Sequence, residues 1–367
     1  MEFRVANPQD LPLIRELADQ IFRAHRPGQH MADEFPYLYD HANAHHWYIA
    51  VQESAVVSMI GAMVWPATIA GAKTSVASMG SVATDPQWRR KGLSSHLLKL
   101  AQDCLVKERV RVALISGDLP LYWRFGARPI GRVRWYALDP SSSFAGKPSW
   151  FVRNIDDQAD ALIVARLYQS RATRFSRTLP QLEAMLKAQP LTQVEKGQKT
   201  ALLVFDGPQP LAYLIVNDRP FNGQEPSRLL EWAGDPRAVL YGISGLEEGS
   251  RAGMRIPVLP EDLGLEGALK ALKPVSQGPV SWLAKVMDGE GLAHDLWGLW
   301  HESGSILPQI SEIAPDQYRL VVGDDTWAID AAKLTEWIFQ DTQSDRPRGL
   351  ETIWPSPALW PEGLNYI

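Results

Sequence analysis

The segment Gly80–Leu100, with the sequence GSVATDPQWRRKGLSSHLLKL, constrains the fold more than any other part of the chain. Its first residues are small or apolar and predict a strand, and an Asp-Pro pair then indicates a turn. Three consecutive cations and a glycine follow. From Leu93 to Leu105 the apolar residues recur at helical spacing. The segment therefore predicts a strand, a cationic turn and a helix, in that order.

A cationic, glycine-containing turn that opens a helix is suited to binding phosphate. The first backbone N–H groups of a helix have no partner inside it, and the helix dipole favours an anion there. The glycine lets the main chain approach a ligand closely, and the cations supply charge. A solvated basic helix start is the alternative. We predict that a phosphate-bearing cosubstrate is bound by Arg89, Arg90, Lys91, Gly92, Leu93 and Ser94.

The pattern Arg89-x-x-Gly92-x-Ser94 resembles the pyrophosphate signature of the GNAT N-acetyltransferase superfamily, Q/R-x-x-G-x-G/A, with serine at the last position. It lacks the earlier glycine of the dinucleotide fingerprint and the G-K-[ST] of a P-loop. The resemblance implies acetyl-CoA as the cosubstrate. It also implies that main-chain groups at the end of the preceding strand contact the pantetheine arm, which gives Val82, Ala83 and Thr84 as cofactor-binding residues.

A second motif, Tyr122-x-x-Phe125-Gly126, is similar to the Tyr-x-x-Phe-Gly element of the same superfamily. The resemblance implies that Tyr122 lies near the coenzyme sulfur. A phenol with a pKa of about 10 stays protonated at neutral pH and can donate its proton to a departing thiolate. The alternative is a tyrosine that only packs beneath the turn.

Apolar runs at 75–83 and 110–116 flank the helix and predict two parallel central strands joined by a right-handed crossover. In the superfamily these strands splay apart and admit the acetyl thioester. A Ser-, Gly- and Pro-rich stretch at 139–148 indicates a linker. The following part resembles a degenerate copy of the first without a cationic turn, and its Asp235 is predicted to cap a helix.

The three-part order resembles the Eis (enhanced intracellular survival) acetyltransferase family. It predicts an α/β fold with mixed α+β sheets. The expected domains are a catalytic GNAT domain at 1–145, a degenerate GNAT-like domain at 146–279 and a small sterol-carrier-protein-like α+β domain at 280–367. The resemblance further implies a primary amine as acceptor, such as an aminoglycoside, a polyamine or a lysine side chain, and a homo-oligomer, specifically a hexamer.

The family mechanism uses the C-terminal carboxylate as the base, which here belongs to Ile367, where family members often end in an aromatic residue. A disordered tail is the alternative. Asp33 and Glu34 are candidates for holding a cationic acceptor, and a solvated loop is the alternative for them.

Composition excludes several other classes. A net charge of −5 leaves no basic excess for general nucleic-acid binding. The sequence has no apolar run of about 18 residues and a charged, proline-broken start, so we expect a cytoplasmic protein with no membrane contact. The only cysteine, Cys104, cannot form an internal disulfide, and its place on the apolar face of the predicted helix favours a packing role. No metal site is predicted, because neither a Cys partner nor an H-E-x-x-H motif accompanies the histidines at 25, 30, 41, 45 and 46.

Two other functions remain open from the sequence. The chain could bind acyl-CoA as a catalytically silent sensor or scaffold, although Tyr122 argues against loss of catalysis. Alternatively, the last part could work as a lipid-binding module, which would require a large apolar cavity within 281–367.

Overall fold

The computed structural model describes residues 1–139, 142, 144, 146–188, 190–251, 253–302, 307–340, 346 and 357–367. In chain order the described strands are β1 (Glu2–Val5), β2 (Trp47–Gln52), β3 (Ala55–Ile69), β4 (Ala72–Thr84), β5 (Val112–Ile115), β6 (Arg128–Pro129), β7 (Val133–Ala137), β8 (Trp150–Asn154), β9 (Arg174–Phe175), β10 (Gln198–Asp206), β11 (Gln209–Asp218), β12 (Arg228–Gly234), β13 (Arg255–Val258), β14 (Ser276–Gly278), β15 (Leu283–Val286), β16 (Gln309–Ala314), β17 (Gln317–Val322) and β18 (Asp325–Asp330).

The described α-helices are α1 (Leu11–Phe22), α2 (Met31–Glu34), α3 (Leu93–Lys107), α4 (Pro120–Arg124), α5 (Ala161–Tyr168), α6 (Leu179–Ala188), α7 (Pro190–Val194), α8 (Pro220–Gly223), α9 (Pro236–Ser244), α10 (Glu248–Arg251), α11 (Leu263–Ala268), α12 (Gly289–Glu302) and α13 (Ala331–Phe339). Short 3₁₀ helices span Pro8–Asp10, His41–His46 and Pro86–Trp88. None of the described helices is long and apolar enough to cross a membrane.

The chain divides into two compact units. The first contains residues 1–131, 281–358 and Ile367, and the second contains residues 132–280 and 359–366. The predicted domains were three, with boundaries at 145/146 and 279/280. The difference arises because segments distant in the sequence pair within one sheet. The sterol-carrier-like character of the last part stays a prediction.

A mixed sheet with the strand order β1-β2-β3-β4-β5-β15-β6 forms the centre of the first unit. Its neighbours are antiparallel except β4 and β5, which are parallel as predicted. Helix α3 connects these two strands and packs on the sheet through Leu93, Leu97, Ala101 and Leu105, each at most 7 % exposed. The spacing of these apolar residues is what buries one face of the helix.

The parallel pairing of β4 with β5 ends early. It runs from Val76 opposite Val112 to Met79 opposite Ile115, whereas β4 itself continues to Thr84. Beyond Met79 the two strands are no longer partners, although Ser116 N still donates to Met79 O at 3.2 Å. The pairing thus spans the whole of β5, and the splaying of the two strands stays a prediction.

Residues 281–358 add a strand, helices and a small sheet to the first unit. Strand β15 lies antiparallel between β5 and β6, and β16, β17 and β18 form a separate antiparallel sheet. Lys285 on β15 is 1 % exposed, and its Nζ donates to Gln102 Oε1 at 2.8 Å and to Asp316 at 3.0 Å. A buried lysine requires such partners, so this cluster fixes β15 in the sheet.

The second unit contains a sheet with the order β14-β7-β13-β12-β11-β10-β8. Helix α9 follows β12 and buries Ala238, Val239 and Ile243. As predicted, the carboxylate of Asp235 caps this helix and accepts from Arg237 N at 2.8 Å.

One predicted strand divides in two. The sequence from Arg128 to Leu138 predicts a single returning strand, but the structure contains β6 and β7 in different sheets. Gly131 lies between them with a φ of +65°, a left-handed conformation that interrupts an extended chain. This break also places the division between the two units before the predicted linker.

Candidate active site

The end of β4 departs from regular strand geometry. Its register with β3 shifts between the pairs Gly61–Gly80 and Met59–Ala83, so the strand bulges there. Ser81 in this bulge has a φ of +50°, which is unfavourable for a residue with a side chain. The hydroxyl of Tyr39 donates to Ser81 Oγ at 3.3 Å. Neither the bulge nor its partner Tyr39 was identified from the sequence, because both depend on pairing with a distant strand.

Val82, Ala83 and Thr84 follow the bulge. Ala83 and Thr84 pair with Met59 and Ser58 of β3 on one side, and their other side extends beyond the last pair with β5. The main chain on that open side is free of the β4–β5 ladder, so it offers N–H and C=O groups to an extended ligand. Binding of a pantetheine-like chain along this edge stays a prediction.

The turn between β4 and α3 contains the predicted phosphate-binding residues. Arg89, Arg90, Lys91 and Gly92 are exposed, Ser94 is half-buried and Leu93 is buried in the core. Arg90 and Gly92 have φ values of +64° and +77°. Gly92 is the N-cap of α3 and makes no side-chain cap bond, and the first turn of the helix contains no acidic residue. No side chain therefore caps the N–H groups at the start of α3.

Contacts within the turn hold two of these cations in place. Arg89 Nε donates to Thr84 O at 3.1 Å, and Lys91 Nζ lies 4.0 Å from the centroid of the Trp88 ring. Thr84 O is therefore already an acceptor for Arg89. The sequence did not reveal this pairing, which ties the end of β4 to the cationic residues that follow it.

A chain of hydroxyl groups runs beneath the turn. Thr84 Oγ1 lies 2.8 Å from Ser58 Oγ and 3.0 Å from Ser94 Oγ. These hydrogen bonds join β3, β4 and the first turn of α3. They explain the serine at the last position of the motif: a Gly or Ala there would lack the hydroxyl that reaches Thr84.

Tyr122 lies on α4 and is 4 % exposed. Burial raises the pKa of its phenol to about 12. A β-carbon at Gly117 would lie 3.8 Å from its ring, so the tyrosine sits against the turn that follows β5. Gly126 has a φ of +95° and ends this short helix as the motif predicts.

The terminal residue Ile367 lies against β4, where the parallel pairing has just ended. A β-carbon at Gly80 would lie 3.0 Å from a terminal oxygen of Ile367 and 3.1 Å from its carboxyl carbon. The same position is 3.4 Å from Ser116 Oγ. Ile367 is 8 % exposed, so the residue is packed, and Gly80 gives its terminal group the space to approach.

The two acidic residues predicted for the acceptor have different environments. Asp33 is exposed, whereas Glu34 is 3 % exposed and forms an ion pair with Arg23 through both carboxylate oxygens. Because this carboxylate is buried and already paired, we correct the prediction for Glu34: in the structure it joins α2 to Arg23 at the end of α1. Asp33 stays a prediction.

The chain preceding Ile367 is anchored in the second unit. Leu364 N donates to Glu231 Oε2 at 2.9 Å, and Arg177 Nε donates to Asn365 Oδ1 at 2.7 Å. Trp360 Nε1 donates to Leu230 O at 2.7 Å. The tail from 359 to 366 is therefore ordered by specific bonds. Sequence reasoning missed these anchors, since nothing local connects Arg177 or Glu231 with the last residues.

Comparison with known proteins identifies the domain that contains these residues. The family model for the acetyltransferase (GNAT) domain matches residues 2–130. No curated protein sequence matches the chain.

Solved structures of low sequence identity share the fold. A probable N-acyltransferase from Enterococcus faecalis has 14 % identity and a TM-score of 0.67, covering 92 % of this chain and 90 % of its own. A GCN5-related N-acetyltransferase from Anabaena variabilis has 13 % identity and a TM-score of 0.65, with 90 % and 85 % covered. Eis1 from Mycobacterium abscessus has 12 % identity and a TM-score of 0.62, with 91 % and 88 % covered. These structures show that the chain has a mixed α/β fold. The match of residues 2–130 to the acetyltransferase (GNAT) domain makes it an acyltransferase.

Proposed function

We propose that the chain transfers an acetyl group from acetyl-CoA to a primary amine of the aminoglycoside, polyamine or lysine type. One observation carries this proposal: the open edge of β4 runs directly into an exposed cationic turn whose glycine begins α3. An edge of free main-chain groups followed by a helix N-terminus with three cations suits a ligand with a peptide-like arm and a pyrophosphate.

The turn and the edge would divide the cosubstrate between them. Backbone N–H groups from Arg90 to Ser94 would bind the pyrophosphate, with Arg89, Arg90 and Lys91 neutralising its charge. Val82, Ala83 and Thr84 would pair through their main chain with the pantetheine arm. A main-chain N–H directed at the thioester oxygen would stabilise the negative charge that develops in the transition state.

The chemistry needs one proton acceptor and one proton donor. The neutral amine attacks the thioester carbonyl, the new C–N bond forms and the C–S bond breaks. The carboxylate of Ile367, directly or through a water, would accept the amine proton. Tyr122 would protonate the departing thiolate, and its pKa of about 12 keeps it protonated throughout the neutral range. Because the amine attacks the thioester directly, no covalent enzyme intermediate is required. Holding the two reactants together would supply much of the rate.

The acceptor class comes from the Eis resemblance, as do the hexamer and a sterol-carrier-like domain at 280–367. Residue Asp33, exposed beside α1, is the carboxylate we propose for attracting a cationic amine. The net charge of −5 agrees with such an acceptor. A cytoplasmic location also remains a prediction.

The test is turnover with a panel of amines. Purified protein is mixed with acetyl-CoA and aminoglycosides, polyamines or lysine peptides, and release of free thiol is followed. We expect turnover with at least one amine, a fall in kcat of about 100-fold for Tyr122→Phe and a similar fall when Tyr366 and Ile367 are deleted. Tyr48→Phe is the matched control, because Tyr48 is another buried tyrosine of the same core.

Each part of the mechanism has its own contradicting result. Full activity of Tyr122→Phe would remove the tyrosine from the acid role. An Ile367→Val variant retains the terminal carboxylate and should stay active, so its failure would show that packing of the side chain matters instead. Binding of acetyl-CoA without turnover of any amine would favour the sensor function.

A further inference from the structure

Three potential metal ligands meet in the first unit, at the junction of the 3₁₀ helix His41–His46 with the end of α3. They are His45, His46 and Glu108, and their ligand atoms all lie within 4.8 Å of one another. Imidazole nitrogen and carboxylate oxygen are the ligands that Zn²⁺ and similar ions take in proteins. The residues are distinct from those proposed for acetyl transfer.

The orientation of His46 is fixed by a neighbouring amide. Asn43 Nδ2 donates to Leu38 O and Ala62 O, each at 3.0 Å, so the Asn43 oxygen must be the atom that faces His46. His46 Nδ1 lies 2.8 Å from that oxygen and has to carry a proton to bond it. This arrangement, in which one ring nitrogen donates to an amide or carboxylate, is the usual support of a metal-binding histidine.

The other nitrogen of His46 then faces an acceptor. In the neutral ring Nε2 has a lone pair, and Glu108 Oε2 lies 2.9 Å from it. Two acceptors at this distance need a cation between them, either a second proton on the ring or a metal ion. The exposed His45 beside this pair supplies a third ligand atom for such an ion, within 4.8 Å of the other two.

The spacing is also close to that of two ligands of a single ion. Adjacent ligands of a tetrahedral zinc ion, with bonds of about 2.1 Å, are separated by about 3.4 Å. The 2.9 Å between His46 Nε2 and Glu108 Oε2 therefore has to widen by about 0.5 Å, which the partly exposed Glu108 side chain permits. The ring of His45 lies 3.9 Å from that of His46, centroid to centroid, and is exposed, so a side-chain rotation can bring its nitrogen to the same ion. Glu108 is 41 % exposed, which leaves room for water on the open side.

We propose that His45, His46 and Glu108 bind one divalent transition-metal ion, with Zn²⁺ favoured, and that this ion joins the 3₁₀ helix to the end of α3. The sequence indicates no metal because Glu108 is 62 residues from His46 and belongs to no ligand motif. Only the fold brings the carboxylate to the histidine pair.

Isothermal titration of chelator-treated protein with zinc chloride tests the site. We expect one ion per chain with a Kd in the micromolar range or tighter, and a rise in Tm of at least about 3 °C when Zn²⁺ exceeds the Kd by about 100-fold. His46→Gln should abolish the binding and Glu108→Gln should weaken it at least about tenfold. His41→Gln is the matched control, since His41 is exposed on the same 3₁₀ helix outside the cluster and should bind normally.

Several results would overturn the proposal. Absence of zinc binding at about 100 µM in the unsubstituted protein is one, and unchanged affinity in the Glu108→Gln variant, whose exposed site tolerates the change, is another. Nitrogen NMR of the ring offers an independent measure. We expect the Nε2 signal of His46 to move on adding Zn²⁺. A ring whose signals do not change with the metal would show that a simple hydrogen-bonded pair with Glu108 fills the space.

Discussion

The strand–turn–helix segment of the first unit and its counterpart in the second unit begin alike and then differ. After β4, Asp85 accepts from Gln87 N at 2.8 Å, and after β12, Asp235 accepts from Arg237 N at the same distance. In the second unit the helix begins at once with Pro236. In the first, a cationic turn intervenes before Leu93.

The strands that lead into these turns differ in the same sense. Beyond its last pair with β5, β4 has an open edge beside a residue without a side chain, Gly80. Strand β12 carries Glu231, which is 6 % exposed and receives two bonds of 2.7 Å from Arg177 and one from Tyr213. The charges of the first segment are exposed to solvent, whereas the Glu231 carboxylate of the second is paired inside the fold. This difference is what makes only the first a candidate for binding a phosphate.

The largest effect should come from the buried pair of the second unit. Glu231→Ala leaves Arg177, whose side chain is 3 % exposed, without its carboxylate, and we expect the free energy of unfolding to fall by about 3–5 kcal/mol. Urea denaturation measures this. The double variant Arg177→Met with Glu231→Leu should recover much of the loss, and a double variant as unstable as the single one would show that the charge is not the cause.

The same pair gives a pH dependence with a defined sign. Burial alone would raise the pKa of Glu231, but the charge and hydrogen bonds of Arg177 outweigh it and hold that pKa below its usual value. The contribution of the pair is therefore present above the unfolded pKa and is lost as pH falls through the lower folded value.

An intermediate effect should distinguish the two turn glycines. Gly234 has a φ of +104°, and a β-carbon there would overlap the carbonyl oxygen of Leu211. Gly92 has a φ of +77°, with no atom within 4 Å of the β-carbon position. We expect Gly234→Ala to destabilise by at least about 2 kcal/mol and Gly92→Ala by about 1 kcal/mol. Urea midpoints of the two variants provide the measurement, and equal losses would contradict the packing difference.

The smallest effect on stability, and the most specific one on binding, should come from the exposed cations. Replacing Arg89, Arg90 and Lys91 together with glutamine should weaken coenzyme A binding by about 10- to 100-fold and change stability by no more than about 0.5 kcal/mol. Titration calorimetry at two salt concentrations measures the affinity and its electrostatic share. Arg237→Gln in the second unit is the matched control and should leave coenzyme A affinity unchanged, whereas an equal loss there would refute the comparison.

The sequence predicted the features that depend on neighbouring residues. The strand β4, the cationic turn, helix α3 and the capping role of Asp235 follow from local spacing and capping chemistry, and the parallel β4–β5 pair follows from crossover handedness. Helix α12 and the strands β8 and β16 were not identified. The two strands are short, and the sequence of α12 contains three glycines, so local propensity does not separate these elements from loops.

Features that depend on distant partners could not be predicted from the sequence. Glu34 was expected to face an acceptor, but Arg23, eleven residues away, neutralises it. The pairing of His46 with Glu108 and the anchoring of the tail by Arg177 likewise join residues without any shared motif. The assignment of catalytic roles to Tyr122 and Ile367 stays a prediction until the activity assay is done.

The position of β15 in the sequence means that one edge of β5 stays unpaired while much of the chain is still being synthesised. Strand β5 ends at Ile115, yet the strand that covers its edge ends only at Val286. At about 5–20 residues per second, a ribosome needs roughly 10 to 30 s to make the intervening chain. During that interval the exposed edge of β5 is available for pairing with other nascent chains. We therefore expect chaperone binding, measured on a series of ribosome-bound chains of increasing length, to decrease at the length at which residue 286 has left the exit tunnel.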